Sequence, residues 1–142
     1  MSAENNKAIA RRFIQVWGDG NLDVIDELAA PSLVVRYPVI PQVIHSSREF
    51  RHVIAGFRSA FPDSALRVEE EIAEGEKVAV RWTFTGTHKG SFMGIPATGK
   101  KVTWTGITIY RIVDGRVVEE RGEEDFVGFL REVGLVRQPS LD

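Results

Sequence analysis

The chain has no cysteine among its 142 residues, which excludes disulfides, thiolate metal ligands and a cysteine nucleophile. Its apolar runs are only a few residues long, far short of the roughly 20 that a transmembrane helix needs. The polar first 15 residues also lack the apolar segment of a secretory signal. A net charge of −2 gives no electrostatic basis for binding nucleic acid or an anionic membrane. We therefore expect a cytoplasmic protein that binds neither.

The first half of the chain has the apolar periodicity of helices. The spacing predicts helices over 4–17, over roughly 21–29 and, behind a capping box at Ser46 and Glu49, from Phe50 to Phe61. A short strand at 33–37 lies between the second and third of these helices and ends at a proline. Three helices are thus expected before the main part of the sheet.

The second half changes to the alternation of strands. Strands are predicted near 66–72, 78–85, 102–112 and 116–125, with Asp114-Gly115 as a hairpin turn, a short helix at 126–133 and a flexible tail at 136–142. Helices followed by an antiparallel meander indicate an α+β fold in a single domain, 1–142. Three helices cover only one face of such a sheet, yet Ile107 and Ile109 are apolar on the other. We therefore expect a homodimer through the open sheet face.

Three segments carry a family resemblance: Gly86-Thr87-His88, the loop from Gly94 to Lys100, and Val117-Val118-Glu119 beside the Asp-Gly turn. With them the chain resembles the SnoaL-like polyketide cyclase family of the nuclear transport factor 2-like superfamily. The resemblance implies a cone-shaped, curved antiparallel sheet with three N-terminal helices on its concave face and a short C-terminal helix. It also implies an apolar cavity in which a carboxylate closes a polyketide ring by intramolecular aldol condensation, with no metal or organic cofactor.

Asp125 is the residue that the resemblance indicates as the catalytic acid and base. It lies at the end of the last predicted strand, where the family carries its carboxylate. The same residue is also a good N-cap for the helix that begins at Phe126, and capping would lower its pKa. The sequence leaves both interpretations open.

The acidic run before Asp125 departs from the family pattern. Members often carry His-Trp where this chain has Glu120-Arg121, and strand alternation places Arg121 on the face of Asp125 and Glu120 on the other. Arg121 in the cavity would hold the carboxylate ionised or polarise a substrate oxygen. Gly122 could mark a bulge that changes this facing.

Further candidates for substrate contact are aromatic or basic. Arg36 and Tyr37 occupy the position of a family His-Asp pair, and a histidine follows in a loop after the third predicted strand; the set is Arg36, Tyr37, Trp82, His88, Trp104 and Tyr110. The three histidines lack metal-ligand spacing, so no metal site is expected.

Two alternatives to the cyclase remain. The same cone could host an isomerase or an epoxide hydrolase, for which Arg111 and Asp125 would supply part of the site. It could also be a ligand-binding protein without chemistry, as the replaced polar groups suggest.

Overall fold

The structure, a computed structural model, describes residues 2–137 and residue 140. Residues 138, 139, 141 and 142 of the predicted tail lie outside the described residues. The elements in chain order are α1 (Ala3–Ile14), α2 (Val16–Asp19), α3 (Leu22–Leu28), β1 (Ala29–Arg36), α4 (Ser47–Ala60), β2 (Ala65–Glu74), β3 (Lys77–Thr87), β4 (Lys101–Val113), β5 (Arg116–Glu124) and α5 (Phe126–Glu132).

Capping side chains, turns and a left-handed glycine mark the ends of the first helices and the start of α4. Ser46 Oγ accepts a hydrogen bond from the backbone N–H of Glu49 at 3.1 Å, which confirms the predicted cap of α4. The first predicted helix is two helices, because a single turn residue, Gln15, separates α1 from α2. Gly20 then ends α2 with a φ of +69°, a left-handed conformation that glycine adopts without steric cost.

The sheet has the order β1-β5-β4-β3-β2. The predicted antiparallel meander is confirmed from β2 to β5, and Asp114-Gly115 forms the turn between β4 and β5 with φ values of +50° and +79°. The edge strand β1 differs from the expectation, because it pairs with β5 in parallel. The sheet is therefore mixed, and it is curved with the helices packed on it as predicted.

The inner face of the sheet holds the core. Alternate residues of β3 and β4 are buried against the helices, while Ile107 and Ile109 on the outer face are 48% and 42% exposed. Two inner-face glycines accommodate aromatic rings, because a Cβ at Gly106 would collide with Trp82 and one at Gly122 would collide with the ring of Tyr37. These glycines allow both rings to lie flat across the strands.

Gly122→Ala should therefore destabilise the protein. The added methyl group would displace the Tyr37 ring, and overpacking of this kind costs about 1–3 kcal/mol. Urea unfolding of the variant should show this loss. The matched control is Gly56→Ala in α4, whose Cβ would meet no atom within 4 Å and which should raise helix stability by up to about 1 kcal/mol. Equal stabilities for the two variants would contradict the packing role of Gly122.

Candidate active site

A cavity of about 320 Å³ lies between the inner face of the sheet and the helices. This volume is at the lower end of the range for small-molecule sites, roughly 300–1,000 Å³. Apolar and aromatic side chains dominate the wall, which is formed by Ile14, Trp17, Tyr37, Val39, Ile40, His52, Val53, Gly56, Phe57, Leu66, Trp82, Phe84, Ser91, Phe92, Met93, Trp104 and Glu124. The wall combines residues from α1, α2, α4, four strands (β2 to β5) and two loops, so the folded domain as a whole forms the cavity.

All three tryptophans of the chain line this cavity, and each indole N–H has an acceptor. Trp17 donates to Glu120 at 2.7 Å and Trp104 donates to Glu124 at 3.1 Å. Trp82 donates to the hydroxyl of Thr108 at 3.0 Å. Each ring thus presents an apolar surface to the cavity and ties its polar edge to the sheet.

A buried polar cluster lies at the β1–β5 side of the cavity. The Tyr37 hydroxyl donates to Glu120 Oε2 at 2.5 Å and is 3.0 Å from the hydroxyl of Thr108. Glu120 is fully buried on β5. Burial raises the pKa of the Glu120 carboxyl to about 7, against the lowering effect of the hydrogen bonds from Tyr37 and Trp17. The pKa of Tyr37 lies well above its ordinary value, because of burial first and the Glu120 carboxyl second.

Glu124 places a second carboxyl group directly in the cavity wall. Burial raises the pKa of Glu124 to about 7; the hydrogen bond from Trp104 opposes that shift, and the nearby charge of Glu123 adds to it. Glu120 and Glu124 lie four residues apart on one face of β5, which separates their Cα atoms by about 13 Å. Gly122 lies between them and receives the Tyr37 ring.

Asp125 has the position of a helix cap in this structure. It is exposed and lies outside the cavity lining, and its side chain accepts a hydrogen bond from the backbone N–H of Gly128 at 3.0 Å at the start of α5. This arrangement matches the capping interpretation of the sequence. The carboxyl group that faces the cavity belongs to its neighbour Glu124.

Arg121 and Arg36 lie outside the cavity. They are register partners on β5 and β1, both are exposed, and both line a separate groove of about 240 Å³ under the loop that follows β1. Arg121 therefore does not stand beside a cavity carboxyl group as expected. The register shift in β5 lies near Val118, not at Gly122, so the alternation that separates Arg121 from Glu120 and Glu124 is regular.

The other predicted contacts divide into two groups. Tyr37, Trp82 and Trp104 line the cavity. Tyr110 and His88 do not: both are fully buried, Tyr110 against the ring of Phe13 and His88 between aromatic rings with Nδ1 3.0 Å from the Thr98 hydroxyl.

Sequence reasoning missed the roles of Glu120, Glu124 and Trp17. Alternation along β5 had already separated the two glutamates from Arg121, so the signal was present. The alternation alone does not tell which face of β5 the helices cover, and therefore which side chains face the cavity. His52, on the exposed side of α4, also contributes to the wall.

Within residues 2–137 and 140, no group of three or more His, Asp or Glu side chains could hold a metal ion. The helices in this part of the chain are too short or too polar to cross a membrane.

The curved sheet, the helices packed on it and the short C-terminal helix define a domain of the nuclear transport factor 2-like class. A family model for SnoaL-like polyketide cyclases matches residues 7–133. The chain therefore belongs to the SnoaL-like polyketide cyclase family, as its sequence motifs predicted.

Characterised and solved proteins resemble it over most of their length. The aklanonic acid methyl ester cyclase DnrD of Streptomyces peucetius is 26% identical over 132 residues, covering 89% of this chain and 88% of its own. The nogalonic acid methyl ester cyclase of Streptomyces nogalater is 28% identical over 124 residues, covering 86% and 92%. The crystal structure of AclR from Streptomyces galilaeus, for which a hydroxylase function has been suggested, superposes with a TM-score of 0.84 at 31% identity, covering 99% and 91%.

The raised pKa of Glu120 predicts a pH-dependent stability. A carboxyl group whose pKa is about 7 in the folded state and 4.5 in the unfolded chain binds more protons when folded. The free energy of unfolding should therefore fall as pH rises from about 4.5 to about 7, by up to roughly 3 kcal/mol from this group, and change little above pH 7.

Glu120→Gln should remove only the share of the slope that Glu120 contributes, roughly half, because Glu124 has a similarly raised pKa of about 7 and retains the rest. Urea unfolding measured from pH 4.5 to 8 gives both slopes. Glu119→Gln, whose side chain pairs with the exposed Arg111, is the matched control and should keep the whole slope. A slope in Glu120→Gln as steep as that of the wild-type protein would mean that the carboxyl group of Glu120 does not contribute to it.

Proposed function

We propose that this chain is a cofactor-free enzyme that transfers protons on a hydrophobic, oxygenated small molecule, in a reaction of the polyketide cyclase type. The observation that carries the proposal is the carboxyl group of Glu124 in the wall of an otherwise apolar, aromatic cavity. Among the described residues of that wall, Glu124 is the one acidic side chain. Membership of a family with cyclase relatives supports the same chemistry.

The reaction needs one group that takes a proton and returns it. The Glu124 carboxylate would remove a proton from a carbon atom flanked by carbonyl groups, and the resulting enolate carbon would attack a ketone carbon of the same molecule. A carbon–carbon bond forms, and the ketone oxygen becomes an alkoxide. The protonated Glu124 then returns the proton to that oxygen, which regenerates the carboxylate.

The environment of Glu124 suits both halves of this cycle. A pKa of about 7 makes the carboxyl group a stronger base than an exposed glutamate and leaves a large ionised fraction at neutral pH. The indole N–H of Trp104 fixes one carboxyl oxygen at 3.1 Å. The apolar wall offers the enolate few polar neighbours besides Glu124.

Proton transfer can be tested without knowledge of the natural substrate. The probe is 2-tetralone, a bicyclic aromatic ketone whose α-protons exchange with D₂O through its enolate. We expect the protein to accelerate this exchange, as followed by proton NMR, and Glu124→Gln to lower the acceleration by about 100-fold or more, the usual contribution of a general base.

Asp125→Asn is the matched variant, because asparagine caps helices as well as aspartate does. It should keep the acceleration, since Asp125 lies outside the cavity. Loss in Asp125→Asn with retention in Glu124→Gln would restore the catalytic role that the family resemblance gives to Asp125. If the protein binds the ketone without accelerating exchange, the chain is a ligand-binding protein, the non-catalytic alternative.

A second candidate function is hydroxylation of the same class of molecule. The similarity to AclR, at 31% identity over nearly the whole chain, favours it. Such a reaction inserts one oxygen atom of dioxygen into the substrate and reduces the other to water with two electrons from a reduced nicotinamide, whereas ring closure uses neither reagent. Oxygen consumption in the presence of an electron-rich aromatic substrate and a reduced nicotinamide therefore separates the two functions.

The outer face of the sheet supports the expected homodimer, which we propose as the working assembly. Ile107 and Ile109 are both more than 40% exposed there, and Ile72 is 65% exposed on β2. Large aliphatic side chains exposed on one sheet face are typical of an interface between subunits.

The double variant Ile107→Glu/Ile109→Glu should be monomeric, because two carboxylates would be desolvated in the interface. Light scattering after size exclusion should then give half the molar mass of the wild-type protein. Asp114→Lys, a charge change at the β4–β5 turn, is the control and should leave the mass of the assembly unchanged. A wild-type protein that is already monomeric at high concentration would contradict the dimer.

A further inference from the structure

Besides Glu124, the proposed proton acceptor, the cavity wall contains a group of hydrogen-bond donors. Three of its lining residues, Trp17, Tyr37 and Trp82, direct their polar atoms into one buried cluster with Thr108 and Glu120. The chemistry proposed for Glu124 does not use this cluster. A buried polar cluster is costly to desolvate, and this one borders the cavity, because Tyr37 belongs both to the cluster and to the cavity wall.

The hydrogen bonds of the cluster run in one direction when Glu120 is ionised. The Trp82 indole can only donate, so the Thr108 oxygen accepts from it. The Tyr37 hydroxyl then gives its hydrogen to Glu120 Oε2 at 2.5 Å and accepts from Thr108 at 3.0 Å. In this state the carboxylate holds the Tyr37 hydrogen, and none is left for a molecule in the cavity.

The surroundings of Glu120 favour its neutral form. Burial, the largest influence on its pKa, outweighs the opposing hydroxyls of Tyr37 and Tyr110 and the indole of Trp17. The second carboxyl oxygen, Oε1, makes no hydrogen bond among the described residues, and the hydroxyl of Tyr110, its register partner on β4, does not come within hydrogen-bond geometry of it. No lysine, arginine or histidine in the described part of the chain forms an ion pair with Glu120 or contributes to its pKa. The titratable groups that face Tyr37 are Glu120 and, farther along β5, Glu124; those that face Glu120 are Tyr37 and Tyr110.

We propose that Tyr37 donates its hydroxyl hydrogen to the carbonyl oxygen of the bound molecule, and that Glu120 is the positioning residue whose protonation permits this. A neutral carboxyl oxygen holds the Tyr37 hydrogen less strongly than a carboxylate does, so the substrate oxygen can compete for it. A neutral Glu120 also spares the developing enolate or alkoxide the repulsion of a buried anion.

The substrate class follows from the positions of the two groups. Glu124 serves the carbon end of the molecule and Tyr37 its oxygen end, and the Tyr37 ring lies against Gly122, two residues from Glu124 on β5. A fused-ring aromatic ketone, flat enough to pack between the tryptophans, fits this arrangement. This inference rests on the proposed function for its chemistry, but its test is one of binding.

The probe is 2-acetylnaphthalene, whose carbonyl oxygen can only accept a hydrogen bond. Its control is 2-isopropenylnaphthalene, which has the same shape with a carbon in place of that oxygen. Binding of both is measured by quenching of the tryptophan fluorescence, since all three tryptophans line the cavity. At pH 6 we expect the wild-type protein to prefer the ketone by about tenfold, and its carbonyl stretching band to shift to lower wavenumber on binding.

Tyr37→Phe should lose both the preference and the band shift while it binds the control molecule normally, which shows that its cavity is intact. From pH 6 to pH 8.5 the wild-type preference should fall, because Glu120 ionises and captures the Tyr37 hydrogen. Because Glu124 in the cavity wall ionises over the same pH range, the comparison is made in a Glu124→Gln background: there the preference should still fall with pH, and the added Glu120→Gln, which stays neutral, should keep it at both pH values.

Three results would overturn the inference: an unchanged band shift in Tyr37→Phe, a fall with pH that persists when Glu120→Gln and Glu124→Gln are combined, or no binding of either molecule to the wild-type protein. The outcome is separable from that of the proposed function. A band shift that depends on Tyr37, without exchange of 2-tetralone protons, would support the hydrogen-bond donor and reject the proton transfer. Proton exchange that depends on Glu124, without a band shift that depends on Tyr37, would support the proton transfer and reject Tyr37 as the hydrogen-bond donor.

Discussion

The burial of the Glu120 carboxyl group without a cation beside it is the constraint on which the rest of the site depends. Desolvation of a carboxyl group costs several kcal/mol when it is ionised and unpaired. The protein meets this cost with neutral donors, the indole of Trp17 and the hydroxyl of Tyr37, and with a raised pKa. Trp17 and Tyr37 are also residues of the cavity wall. The hydrogen bonds that stabilise the buried Glu120 therefore also fix how these two rings face a ligand.

The positions of the aromatic rings depend in turn on two small residues. Gly106 and Gly122 leave room for the rings of Trp82 and Tyr37 on the inner face of the sheet. Any side chain at either position would push the ring into the cavity or away from its hydrogen-bond partner. Glycine weakens a strand interior, and here that loss is offset by the polar cluster and the shape of the wall.

Much of the fold could be predicted from the sequence, because its periodicity is local and strong. The cap at Ser46, the turn at Asp114 and the alternation in β4 each depend on neighbouring residues, and each is confirmed. The parallel pairing of β1 was not predictable in this way, since it depends on which sheet edge is free when the chain returns. For the site, too, the features that depend on neighbouring residues were predictable and those that depend on distant packing were not. Alternation separated Glu120 from Arg121 correctly, but only the packing of the helices decides which face encloses the cavity, and therefore which carboxyl group faces it.

The parallel pairing of β1 with β5 has a consequence for how the site comes into being. Val34 pairs with Glu119, and Arg36 with Arg121. This pairing brings Tyr37, the residue after β1, to Glu120 on β5, which is 83 residues later in the chain. Contacts between such distant segments close large loops and form slowly. During synthesis on the ribosome, α1 to β4 can collapse before β5 emerges, with β4 as a temporary open edge. The polar cluster is therefore among the last parts of the molecule to be completed, and the chain becomes competent to bind only when its final strand has docked.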